Sequence, residues 1–220
     1  MSLRAELQAL YADFVSRAPA HVAEAMSRSD LALSASGILD AALKAGDQAP
    51  DFLLPDARGG SGRLSRALAS GPVVLSFYRG GWCPYCNLEL RALQSALPDF
   101  TAAGATLMAV SPQKPDQSLT TVEKNGLAFP VLSDTGSRVA RSFGIAFDLA
   151  EELRPIYTDF GQALPDRNGD DSWVLPIPAT YVIDRDGVIA FAHVDVDYRN
   201  RLEPDTVIAI LSALAGRKPA

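Results

Sequence analysis

The chain has 220 residues, enough for one well-buried domain with an appendage or for two small domains. At 48% hydrophobic and 21% charged residues it reads as a soluble globular protein, and a formal net charge of -6 argues against a general nucleic-acid partner, whose phosphates call for a basic face. No apolar run approaches membrane-spanning length, and the first residues, up to Glu6, lack the uninterrupted apolar core of a secretion signal.

Leu3, Leu7, Leu10, Tyr11, Phe14 and Val15 fall at helical spacing and predict a helix with one apolar face. A second helical piece is expected from Val22 to Met26 and a third over residues 31–43, ending at Gly46. These helices form an expected extension over residues 1–45, packed either on the core of the same chain or as the contact of a homodimer. The main domain is then expected over residues 46–220.

That domain opens with a short strand at Phe52-Leu53-Leu54 and a turn-rich loop over residues 56–62. The loop lacks the Gly-Lys-Ser/Thr continuation of a phosphate cradle. Val73-Val74-Leu75-Ser76-Phe77 reads as a buried strand, followed by a helix to about Leu97 that stops before Pro98. Residues 105–110 form a second buried strand, residues 115–124 a helix stopped at Asn125-Gly126, residues 129–132 an extended piece and residues 135–143 a helix ended by Gly144. This alternation predicts an α/β fold with a mainly parallel sheet. Between Phe147 and Pro178 the pattern breaks down into an insertion of the lid or dimer-element kind, helical over residues 149–157 and a solvated loop over residues 165–171. A hairpin turns at Asp184-Arg185-Asp186-Gly187, and a last helix follows Pro204.

The chemistry concentrates between the first buried strand and the next helix, at Tyr78-Arg79-Gly80-Gly81-Trp82-Cys83-Pro84-Tyr85-Cys86. A helix begun at Pro84 leaves its first N–H groups unpaired near Cys83, and these donors favour a thiolate. Cys86, one turn on, is close enough to close a disulfide. The chain has no other cysteine, so the pair reads as redox-active. Structural zinc would need four ligands, whereas His21 and His193 each stand alone, and haem attachment would need a histidine where Asn87 stands. A bridge across three residues would be a poor structural staple. Two cysteines without an exported-protein framework predict a cytoplasmic location.

With these segments in order, the chain resembles the thioredoxin fold in its peroxiredoxin-like form, the alkyl hydroperoxide reductase and thiol-specific antioxidant (AhpC/TSA) family. Three stretches carry the resemblance: residues 77–90, residues 129–145, and Ala179-Thr180-Tyr181-Val182-Ile183-Asp184-Arg185-Asp186-Gly187. It implies a thioredoxin-like mixed central sheet flanked by helices, over residues 46–215, with the N-terminal helices outside. The Pro-x-x-x-Thr-x-x-Cys motif of bacterioferritin-comigratory peroxiredoxins, laid on without gaps, puts their peroxidatic Cys on Cys86, their Thr on Cys83 and their Pro on Arg79. The arginine that those enzymes place before the hairpin strand falls on Pro178. Ile177-Pro178-Ala179-Thr180 instead resembles the cis-proline loop of thioredoxins, Pro84-Tyr85 the inner residues of glutaredoxins, and Trp82 the residue that precedes the thioredoxin pair.

The two templates assign the nucleophile differently: by thioredoxin logic Cys83, exposed at the helix start, attacks, and by peroxiredoxin logic Cys86 does. The helix end favours Cys83. Arg79 is placed to stabilise a thiolate or an oxygen anion, or else packs its stem on Trp82 or Tyr78 at the surface. His193 is a candidate base or an ordinary strand residue. Asp197, Arg199 and Arg201 read as a solvated loop, although one of those arginines could replace the missing one. The expected activity is a thiol-dependent oxidoreductase cycling a Cys83-Cys86 disulfide, without metal, haem or nucleotide. Thioredoxin, a glutaredoxin or a small thiol would supply electrons, and a peroxide or a disulfide would accept them. Two alternatives are a pure thiol-disulfide oxidoreductase and a redox-sensitive binding module without turnover.

Overall fold

In the computed structural model, which describes residues 2–216, two long helices come first. Helix α1 (Leu3–Arg17) begins at Ser2, whose hydroxyl accepts from the Ala5 N–H. Helix α2 (Ala20–Ala35) runs unbroken through stretches expected to form separate helices. No glycine or proline stands between Met26 and Leu31, so one helix satisfies more backbone groups than two. The break comes at Gly37, before the single turn α3 (Ile38–Ala41).

The domain proper starts with an antiparallel hairpin of β1 (Leu53–Pro55) and β2 (Ser61–Arg63); the loop expected at residues 56–62 thus ends in a strand. Then come α4 (Leu64–Leu68), β3 (Val73–Phe77) and α5 (Pro84–Ser95). Pro98 does not merely end the cysteine helix. It occupies the first turn of a further helix, α6 (Leu97–Ala102), where a missing N–H costs nothing. Next are β4 (Thr106–Ser111), α7 (Pro115–Asn125), β5 (Val131–Ser133) and α8 (Arg138–Ser142). The insertion holds β6 (Ala146–Asp148), α9 (Leu153–Asp159), α10 (Leu164–Asn168) and β7 (Val174–Pro176). Helix α10 lies where a solvated loop was expected, because Leu164 and Asn168 are buried and carry it onto the core. The hairpin of β8 (Ala179–Ile183) and β9 (Ile189–Val194) and the helix α11 (Pro204–Ala215) complete the order.

The central sheet has the order β5-β4-β3-β8-β9. Strands β5, β4 and β3 are parallel, whereas β8 runs antiparallel to both β3 and β9. The sheet is therefore mixed, not mainly parallel: the long insertion returns the chain beside β3 in the opposite sense. On one face Val74, Tyr78, Leu107 and Val182 pack with α5, α6 and α11; on the other Leu75, Phe77, Tyr181 and Ile183 pack with Leu64, Phe143 and Ile145. The fold class is the one implied by the resemblance, a mixed sheet with helices on both faces.

Helix α1 sends Leu3 and Leu7 into the same cluster as Cys83, Cys86 and Leu90, and α2 joins α9 through Ala25, Leu153 and Tyr157. The N-terminal helices thus cover the sheet end where α5 begins. Three charged contacts fasten them: Glu203 accepts from the N–H groups of Leu3 (3.3 Å) and Arg4 (2.8 Å), Arg28 pairs with Glu152 at 2.8 Å, and Asp30 with Arg199 at 3.4 Å. Because Glu203 supplies a carboxylate to the positive end of α1, Glu203→Ala is expected to cost about 0.5–2 kcal/mol and to speed amide hydrogen exchange in α1 more than in β3. Equal acceleration in both elements would show that the carboxylate does not anchor the helix.

Candidate active site

The chain leaves β3 at Phe77 and must turn sharply to enter α5 at Pro84. Two glycines make this possible. A Cβ on Gly80 (φ +154°) would meet Trp82 Nε1 at 2.3 Å, and one on Gly81 would meet Thr121 Oγ1 at 2.1 Å. The turn is then tied down by side-chain amides. Asn87 Nδ2 donates to the carbonyls of Gly81 (2.8 Å) and Cys83 (3.1 Å), Asn125 Nδ2 donates to Asn87 Oδ1 (2.8 Å), and Gln113 Oε1 accepts from the Gly81 N–H (2.8 Å). Cys83 is the N-cap residue of α5, with extended backbone, and Pro84 is pre-organised for the first helical position.

Both cysteines are reduced and enclosed. Cys83 is 1% exposed and Cys86 is 0% exposed, so the expectation of a Cys83 open at the helix start is corrected: α1 and α2 lie over that end. Cys83 nonetheless lines a cavity of about 480 Å³, whose other walls include Leu10, Phe14, Met26, Tyr157 and Phe160. Burial raises its pKa, but hydrogen bonding from the Cys86 thiol and N–H and the charges of Arg79 and Arg201 outweigh burial and lower it to about 6. The shift favours the thiolate form of Cys83 at neutral pH. Cys86 is pushed the other way, by burial, by its hydrogen bond to Cys83 and by that sulfur's charge.

Arg79 is buried, not a surface residue. Its guanidinium sits 5.1 Å from the Trp82 ring centroid, 5.7 Å from that of Tyr157 and 4.4 Å from that of Tyr198, and it donates to the Tyr157 hydroxyl. Burial alone would lower its pKa; the negative potential of Tyr157, Cys83 and Tyr198 prevails and keeps it charged.

Arg201 also departs from expectation. Its sequence neighbours place it in a solvated loop, yet it is buried, with its Nη2 donating to Cys86 Sγ at 3.6 Å and its Nε lying 3.0 Å from Glu89 Oε2. It is the arginine that reaches a sulfur where Pro178 cannot. Glu89, three residues beyond Cys86 and so on the same side of α5, is raised to about 7 by burial, with Arg201 opposing and Cys86 adding to the rise. Arg199 is half-buried in ion pairs with Asp197 and Asp30.

The remaining expected residues divide. Trp82, Pro84 and Tyr85 line the Cys83 cavity. Pro178 does not; it borders a smaller space on the other side of Arg79, beside Tyr157 and Tyr198. The resemblance to a cis-proline loop is corrected as well, since no cis peptide bond occurs among the described residues. Ile177 donates its N–H to Ile145, and the chain passes extended from β7 into β8. Thr180 is buried opposite Ser76 and His193, without a hydrogen bond to either sulfur. His193 lines a separate polar cavity with Arg201 and Asp195. Sequence reasoning missed Glu89, Gln113, Asn125, Tyr157 and Tyr198. Only Glu89 carried a signal, its helical spacing from Cys86.

The AhpC/TSA family model matches residues 45–192. The chain belongs to the AhpC/TSA family. A Mycobacterium tuberculosis protein assigned as a peroxiredoxin is 32% identical over 154 residues, 70% of this chain and 87% of its own length. Chloroplastic peroxiredoxin Q of Populus jackii is 28% identical over 172 residues, 78% of this chain and 68% of its own. Among solved structures, peroxidoxin BcpB from Mycobacterium tuberculosis superposes with a TM-score of 0.62 at 27% identity, covering 78% of this chain and 98% of that one. Within this family the protein is a thiol-dependent peroxidase, drawing on a peroxide and a thiol reductant; neither a pure disulfide reductase nor a binding module is favoured. Helices α1 to α3, Tyr198 and Arg201 all lie outside the matched stretch.

Two measurements probe the site. Thiolate absorbance is expected to appear as pH rises through about 6 and to be lost below it; Arg79→Met should move that midpoint above about 7, because a thiolate-stabilising cation is gone. An unchanged midpoint would remove Arg79 from the electrostatics. Asn87→Ala should lower stability in urea by about 1–3 kcal/mol, since it strands the Gly81 carbonyl and one hydrogen of Asn125 Nδ2, which keeps only its bond to the Thr121 carbonyl; a neutral substitution would mean the turn holds without them.

Proposed function

We propose that Cys83 is the sulfur that attacks the peroxide and that Cys86 resolves the product. The observation that carries this reading is the asymmetry of the pair: Cys83 lines the cavity and is held toward the thiolate, whereas Cys86 does not line it and is held toward the thiol. The geometry of this helix end supports such a division, although a gapless fit to the bacterioferritin-comigratory motif would give Cys86 the first role.

In the first step the Cys83 thiolate attacks the distal oxygen of ROOH and the O–O bond breaks. The sulfur becomes a sulfenic acid, and the departing alkoxide, stabilised by Arg79 at the cavity wall, takes a proton to leave as ROH. In the second step Cys86 attacks the Cys83 sulfur. The S–O bond breaks, the S–S bond forms, and hydroxide leaves as water with the Cys86 proton. Arg201 favours the Cys86 thiolate in this step, and Glu89, poised near neutrality beside it, is placed to take the Cys86 proton and pass it to the leaving hydroxide. A thiol reductant then restores the dithiol.

The test is peroxide treatment of Cys83→Ser and Cys86→Ser variants with a sulfenic-acid trap and mass spectrometry. The trap is expected on Cys83 in the Cys86→Ser protein, with little adduct on Cys86 in the Cys83→Ser protein. Sulfenic acid accumulating on Cys86 alone would reverse the assignment.

A further inference from the structure

The first half of the cycle needs only a peroxide to reach Cys83, but the second half needs a reductant to touch a disulfide sulfur. That sulfur is hard to reach. Cys86 is wholly buried and, unlike Cys83, does not line this cavity, so attack must come at Cys83, from inside the space between α1, α2 and α9. Since Cys83 is the N-cap and Cys86 lies in the first turn of the same helix, the disulfide can close within that turn, and closing it requires no movement of the N-terminal helices packed above. A thiol carried on the surface of a folded protein would meet Leu10, Phe14 and Phe160 before it met sulfur.

The cavity has the character of a small-molecule site. Its volume, about 480 Å³, is in the usual range for one, and its walls are mostly apolar. Four polar atoms of the lining residues are buried without a partner: the donors Arg79 Nε and Trp82 Nε1, the Tyr85 hydroxyl and the acceptor Gln162 Oε1. Two of these can only donate. An unpaired buried donor costs free energy, and a ligand oxygen would satisfy it. The cavity therefore asks for an occupant with an apolar body and one hydrogen-bond-accepting oxygen.

From these observations we infer that the reductant of this enzyme is a small apolar dithiol bearing a carbonyl or carboxylate oxygen, bound under the N-terminal helices, and not a folded thiol protein. The inference rests on Cys83 being the cavity-facing sulfur, as proposed above. One donor thiolate attacks Cys83 Sγ, the Cys83-Cys86 bond breaks, and Cys86 leaves and takes a proton. The donor's second thiol then attacks its own sulfur in the mixed disulfide, closing a cyclic disulfide and expelling Cys83. The enzyme gains two electrons and the dithiol loses two. Expulsion is fast because Cys83 leaves as a stabilised thiolate, and a dithiol delivers the second nucleophile in place, where a monothiol would need another molecule to enter the cavity.

The experiment uses the full chain, oxidised with diamide so that disulfide formation does not depend on peroxide chemistry, with loss of both free thiols confirmed first. Reduction is followed with dihydrolipoamide, glutathione, or thioredoxin kept reduced by its reductase. The second-order rate constant for dihydrolipoamide is expected to exceed those for glutathione and thioredoxin at least about tenfold. Phe14→Asp, which puts a charge on the half-buried cavity wall, should slow dihydrolipoamide at least about fivefold. Thioredoxin reacting as fast as dihydrolipoamide or faster, or a rate with dihydrolipoamide indifferent to Phe14→Asp, would overturn the inference. Failure of peroxide to oxidise Cys83 would instead strike the assignment of the attacking sulfur and is read in the separate trapping experiment.

Discussion

A guanidinium removed from water loses several kcal/mol of hydration, and the structure around Arg79 is an arrangement for replacing it. Three aromatic rings surround it, Tyr157 accepts one of its hydrogens, and the sulfur of Cys83 supplies nearby negative charge. Each ring contributes roughly 1–2 kcal/mol in such a desolvated setting, so the three together are of the same order as the hydration lost. The thiolate adds a full opposite charge to them. Arg79 holds Cys83 ionised and the ionised Cys83 in turn holds Arg79, which makes the reactive form of the sulfur part of what keeps the site together.

This mutual dependence explains why the helices outside the matched stretch matter. Tyr157 comes from α9 within the insertion, Tyr198 from the segment between β9 and α11, and Trp82 from the glycine turn. Helix α2 packs on α9 through Ala25, Met26, Leu153 and Tyr157, while α1 packs on α5 through Leu3 and Leu7. Removing water from Arg79 therefore requires the insertion and the N-terminal helices together. The thioredoxin-like sheet supplies the helix end; the additional elements supply its low-dielectric surroundings.

What the sequence disclosed follows the range of the interactions involved. The strand, turn and helix from Val73 to Leu90 were legible because the apolar run, Gly80-Gly81, Pro84 and the cysteine spacing are all local signals. The sheet was legible as α/β from its alternation, but the sense of β8 was hidden, since it depends on where an insertion of irregular pattern sets the chain down. Arg201 was illegible for the same reason: its neighbours Asn200 and Asp197 are those of a surface loop, and only tertiary packing brings it to Cys86. Residues 165–171 carry turn residues throughout, and the two buried side chains at Leu164 and Asn168 decided the matter against local propensity. Leu10 and Phe14 were visible as part of an apolar helical face, but nothing local said that this face covers the sulfur.

The charges of the buried cluster bear on why the cycle runs in both directions. In the reduced state Arg79 and Arg201 face the Cys83 thiolate and Glu89, so two cations meet one full and one partial negative charge. Oxidation to the disulfide removes the charge on Cys83 and leaves Arg79 with the rings and the more distant Asp30 carboxylate. The cluster then carries an excess of positive charge in a place poorly supplied with water, which raises the free energy of the oxidised form relative to the reduced one. A stabilised thiolate thus favours attack on peroxide and also makes the resulting disulfide easier to reduce. Peroxide reduction is exergonic enough to drive the site into its less favourable charge state, and return to the thiolate is assisted by the same arginine that prepared the attack.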